Sequence, residues 1–81
     1  MRSQPNTYVD TYNVDTGNFR SRRKYGEDGW AYKDMDTADE KHPRDHVHEI
    51  FRGNRSKNPR DPNKSEKNEL KKAKRKRRFF Q

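Results

Sequence analysis

The stretch FRSRRKYGEDGWAYKDMD, Phe19–Asp36, decides the fold. Its first seven residues, Phe19–Tyr25, alternate loosely between aromatic or small side chains and cations, the period-two habit of a strand. Gly26–Gly29 follows, and its Asp28-Gly29 pair is a strong hairpin signal because glycine adopts the positive φ that tight turns need. Trp30–Asp36 then reads as a returning strand. Alternation puts Trp30, Tyr32, Asp34 and Asp36 on one face and Ala31, Lys33 and Met35 on the other.

Upstream, TYVDTYNV (Thr7–Val14) is rich in β-branched and aromatic residues and reads as a further strand, joined to Phe19 through the turn Asp15–Asn18. A three-stranded antiparallel meander over residues 7–36 is therefore expected. Downstream, residues 37–45 form a polar connection. HVHEIF (His46–Phe51) admits two readings. A helix opening at Pro43 aligns Val47, Ile50 and Phe51. A strand places His46, His48 and Ile50 on one face and Val47, Glu49 and Phe51 on the other, and is the reading preferred, with Gly53 ending the element.

The expected architecture is α+β: a small antiparallel meander of three to four strands with a basic C-terminal helix. A β-rich body spans 1–53. Residues 54–64, rich in Pro, Asn and Lys, read as a linker. Residues 65–81 read as a helix or tail capped by Ser65, with Glu66 and Glu69 near its positive end. Leu70 and Ala73 are its only apolar residues before Phe79–Phe80, so weak docking is expected.

With 81 residues, of which 23% are hydrophobic and 42% charged, the chain can hold one small core. Nine aromatic residues supply the buried area that composition otherwise lacks. The absence of cysteine excludes disulfides and thiolate metal sites. No apolar run is long enough for a signal peptide or a membrane-spanning helix.

Charge is divided unevenly. Residues 1–52 carry nine Lys/Arg and ten Asp/Glu, a net of −1; residues 53–81 carry twelve and three, a net of +9. A near-neutral body with a basic end suits a polyanion partner. Lys71, Lys72, Lys74, Arg75, Lys76, Arg77 and Arg78, with Arg20 and Lys24 of the hairpin, are the candidate nucleic-acid contacts, which supply affinity without reading sequence.

All three histidines, His42, His46 and His48, lie in HPRDHVHE (His42–Glu49). A metal site could draw on His46 and His48 from one strand face, His42 from the connection, and Asp34, Asp36 or Glu49. Every Cys-based spacing and the helical His-Glu-x-x-His pattern are absent. Acid–base chemistry asks for less. In RNA cleavage one imidazole accepts the proton of the ribose 2′-hydroxyl, a second group protonates the leaving 5′-oxygen, and cations stabilise the charge on phosphorus. His46 and His48 are the expected acid and base with His42 in support. Arg22, Arg23 and Lys33 are expected to stabilise phosphate, and Asp34 or Asp36 to orient an imidazole. No metal or other cofactor is required. The third reading leaves the histidines as part of a polar surface.

Arg22, Arg23, Tyr25, Gly26, Gly29, Tyr32, Asp34, Asp36, His42, Pro43, His46 and His48 together resemble the C-terminal toxin domains of bacterial polymorphic toxin systems, found at the ends of Rhs, LXG and contact-dependent inhibition proteins. Those domains run an Arg-rich strand into Tyr, a Gly turn, an aromatic residue, Asp-x-Asp, His-Pro and His-x-His. The likeness covers about a third of the chain. It departs where Thr37–Lys41 replaces a Gly-Asn-Pro loop, and in the long basic end. The resemblance implies a small α+β nuclease module, most often acting on RNA, tRNA among the substrates. It implies delivery as part of a larger exported protein, action in a target-cell cytoplasm as a monomer, and neutralisation by a cognate immunity protein. An acidic surface on that protein would complement the basic end. Two rivals stand beside this reading. One is a non-enzymatic nucleic-acid-binding protein, and the other a metal-dependent DNase using the same histidines.

Overall fold

A computed structural model describes residues 4–38 and 43–75 of the chain. Among the described residues five strands, β1 (Tyr8–Tyr12), β2 (Phe19–Tyr25), β3 (Ala31–Asp36), β4 (His46–Phe51) and β5 (Asn54–Arg55), precede one helix, α1 (Lys64–Arg75). The strands form a single antiparallel meander in chain order. This is the α+β class expected, with one strand more than the upper expectation.

Local chemistry sets each turn. Between β1 and β2 the Asn13 side chain accepts the backbone N–H of Asp15 and of Thr16, and Gly17 takes a φ of 74°. Between β2 and β3 Gly29 has a φ of 79°, and Asp28 accepts the Trp30 N–H. The β4–β5 connection is a two-residue turn with positive φ at both Arg52 (50°) and Gly53 (83°), the primed geometry that matches strand twist. Gly53 thus lies past the end of β4, as expected, and the turn it completes leads back into β5. The stretch read as a linker supplies β5 and is pinned further on, where Arg60 exchanges both backbone hydrogen bonds with Val47 at 2.8 and 2.9 Å.

Two irregularities shift the faces. Tyr12 pairs with Phe19 while Thr11 pairs with Ser21, so Arg20 is an extra residue on β2. Tyr25 pairs with Ala31 while Lys24 pairs with Lys33, so Tyr32 is extra on β3. Asp34 and Asp36 share a face as expected, but Tyr32 and Ala31 leave the simple alternation.

One sheet face and α1 enclose the core of Phe19, Met35, Val47, Leu70 and Ala73, with Tyr12 beside it. Met35 and Val47 are 0% exposed and Leu70 is 1% exposed. The expectation of a weakly docked helix is therefore corrected: its two apolar residues are both central to the core. Around them charge does what apolar area cannot. Arg22 bonds Asp10 and Glu69, Lys24 bonds Glu69, and Lys33 bonds Glu66. The helix cap is also corrected. Asn63 Oδ1 accepts the Glu66 N–H, and a Glu66 carboxylate oxygen accepts the Asn63 N–H, both at 2.8 Å, so Asn63 and not Ser65 is the N-cap of a capping box.

Candidate functional site

The opposite sheet face carries the histidines. Register builds it in rows: Val9, Arg23, Asp34 and His48 stand side by side across four strands, and Thr11, Ser21, Asp36 and His46 form the next row. Arg55 adds to this face from β5. A shallow cleft of about 400 Å³ runs along it, lined in part by Ser21, Arg23, Asp34, Asp36 and Arg55.

Two strand residues apart on β4, His46 and His48 bring their ring centroids to 5.3 Å with an interplanar angle of 81°. His48 Nδ1 lies 2.8 Å from the Ser56 carbonyl oxygen, and His46 Nδ1 lies 3.1 Å from that of Arg44. A carbonyl only accepts, so each Nδ1 carries the proton and a neutral ring has its lone pair on Nε2. His46 Nε2 is 3.5 Å from Asp36 Oδ2. A protonated His46 therefore has a carboxylate partner in reach. One ligand atom from each of Asp36, His46 and His48 lies within 4.8 Å of the others.

Two arginines frame this group. Arg23 makes a two-pronged pair with Asp34, at 2.7 and 2.9 Å. That hydrogen bonding raises the Arg23 pKa against the opposing effect of burial. Arg55 bonds Asp34 at 2.9 Å and Asp36 at 2.5 Å. β4 lies between β5 and β3, so the Arg55 side chain crosses β4 to reach those carboxylates. It therefore lies over the histidine strand, and His46 and His48 are buried with no helix over that face among the described residues.

Of the residues expected to act together, Arg23, Asp34, Asp36, His46 and His48 converge. Arg22, Lys24 and Lys33 do not: they project from the helix face into the ion pairs with Asp10, Glu69 and Glu66. The physical reason is the strand's two-residue period, which sends Arg22 and Arg23 to opposite faces. Arg20, at the bulge, lies on the wall of a neighbouring cleft that also touches Asp36. Lys71, Lys72, Lys74 and Arg75 are exposed on α1, across the sheet from the histidines. Lys74 nevertheless pairs with Asp45, the residue before His46, so the cationic end of the helix reaches the rim beside that histidine. His42, Lys76, Arg77 and Arg78 lie outside the described residues. Arg55 is the site residue that sequence reasoning missed. The available signal was Arg52-Gly53, a turn that returns the chain along β4.

Comparison with family models, with curated proteins and with solved structures yields no match to this chain.

Proposed function

We propose that the chain is a nuclease domain that cleaves RNA by histidine acid–base chemistry. The observation that carries the reading is the juxtaposition of two imidazoles, each anchored through Nδ1 so that Nε2 is its proton-exchanging nitrogen, beside two guanidinium groups. His48 Nε2 takes the proton of a ribose 2′-hydroxyl as that oxygen attacks the adjacent phosphorus. His46, protonated and paired with Asp36, gives its proton to the departing 5′-oxygen. The products are a 2′,3′-cyclic phosphate and a 5′-hydroxyl, and no cofactor enters the balance.

Arg55 exchanges its carboxylates for the incoming phosphate, which uncovers the imidazoles, and with Arg23 it stabilises the charge that develops on phosphorus. The exposed cations of α1 hold the remaining backbone without reading sequence. The toxin-like motif order supports the wider reading: delivery by a larger exported protein, action in a target-cell cytoplasm, and an immunity partner with an acidic surface.

The test is incubation with total RNA and with duplex DNA, each with and without EDTA. RNA cleavage that survives EDTA is expected. His46→Asn and His48→Asn keep a side-chain N–H for the Arg44 and Ser56 carbonyls but lose the titrating ring, and each should lower the rate by about 100-fold or more with an unchanged circular dichroism spectrum. Cleavage abolished by EDTA, or retained in both variants, overturns the proposal. RNA binding without cleavage leaves the non-enzymatic rival.

A further inference from the structure

We infer that Asp36, His46 and His48 also form a binding site for a borderline divalent transition ion of the Zn²⁺ type, and that this ion competes with Arg55 for Asp36.

Geometry is the first ground. The ligand atoms lie within 4.8 Å of one another, and His46 Nε2 is already 3.5 Å from Asp36 Oδ2. Tetrahedral zinc with bonds near 2.0–2.1 Å places its ligand atoms roughly 3.3 Å apart, so small side-chain rotations close the site.

Tautomer is the second ground. A zinc-ligating imidazole needs its lone pair on one nitrogen and its N–H fixed by an acceptor on the other. Carbonyl oxygens of Ser56 and Arg44 fix the two Nδ1–H groups, which directs both Nε2 lone pairs to coordination.

The third ground is what Asp36 holds. Its Oδ2 accepts from Arg55, whose side chain is 41% exposed and stands on a two-residue edge strand. A cation therefore already occupies this carboxylate and can leave it for solvent. Two imidazoles and one carboxylate favour Zn²⁺, Cu²⁺ or Ni²⁺ over Mg²⁺ or Ca²⁺, which prefer all-oxygen shells. A water would complete the tetrahedron.

One consequence rests on the acid–base reading: an ion on both Nε2 atoms removes the base and the acid together, so Zn²⁺ inhibits RNA cleavage and EDTA restores it.

The experiment is calorimetric titration of the tag-free chain with Zn²⁺ and, separately, Mg²⁺, in the absence of RNA. One Zn²⁺ per chain is expected, with no Mg²⁺ heat. His46→Asn, His48→Asn and Asp36→Asn should each weaken Zn²⁺ by at least about tenfold, and Arg55→Gln should tighten it, because the competing cation is gone. Nitrogen-15 shifts of the His46 and His48 Nε2 atoms on Zn²⁺ addition give a readout independent of folding losses. Absent binding, or binding unchanged in all three ligand variants, overturns the inference and leaves the acid–base reading standing. Binding as expected, with cleavage that requires Zn²⁺, overturns the acid–base reading and keeps the site.

Discussion

At the scale of single residues, Glu66 carries more of the structure than its place in a basic helix suggests. It is 2% exposed and accepts hydrogen bonds from Arg60, Lys33 and the Asn63 N–H. Those bonds, led by Arg60, hold its pKa down to about 2 against the opposing effect of burial. At neighbouring Glu69 burial works against the charge, but hydrogen bonds from Arg22 and Lys24 outweigh it and also lower the pKa. A lowered folded-state pKa contributes stability that is complete above the unfolded value, near 4.5, and is lost as pH falls toward about 2. For Glu66 this amounts to on the order of 3 kcal/mol. Urea unfolding at a series of pH values should show stability falling across that window, and Glu66→Gln should be less stable at pH 7 with a flatter acid limb. The sequence showed Glu66 as a helix-start acid. It did not show its partners, because Lys33 and Arg60 reach it only through the sheet and the chain that follows β5.

At the scale of elements, the helix is held by its cap and by two apolar side chains. Asn63→Ala should cost about 1 kcal/mol, whereas Ser65→Ala, on an exposed position outside the box, should be nearly neutral. Leu70→Ala should cost about 3 kcal/mol, because the residue is 1% exposed against Met35 and Val47. Thermal unfolding of the three variants checks the order. Both Asn63 and Ser65 are capping residue types, and Glu66 is what separates them: it sits three residues after Asn63, as a capping box requires. The strands were more legible. The limits of β2 and the faces of β4 follow from alternation alone, since Val47 had to face one way and His46 and His48 the other. The bulges at Arg20 and Tyr32 were not legible, because a skipped residue depends on the partner strand.

At the scale of the whole molecule, the sheet stands between the histidines and the cations of α1. The Lys74–Asp45 pair marks a rim where the two faces meet, and RNA engaged by both has a path across it. Replacing exposed Lys71, Lys72 and Arg75 with glutamine should weaken RNA binding and flatten its salt dependence by up to about 2 in log–log slope, with unfolding unchanged. Removing residues 64–81 should instead unfold the domain, visible as lost near-ultraviolet dichroism, because Met35 and Val47 lose their cover. A truncated domain that keeps its tertiary spectrum would show that the helix is dispensable to the core.

Among the described residues, sequence alone determined what is local: the strand periods, the glycine turns, a helix with acidic start and basic end, and the shared face of His46 and His48. These follow from backbone stereochemistry and side-chain alternation within one segment. Tertiary structure decided which face the helix covers, and with it that Arg22 and Lys33, rather than Arg23, enter ion pairs with α1. It also decided that Arg55 crosses β4 to close over the histidines. These are non-local choices, because an alternating strand has two faces of equal standing until another element buries one of them.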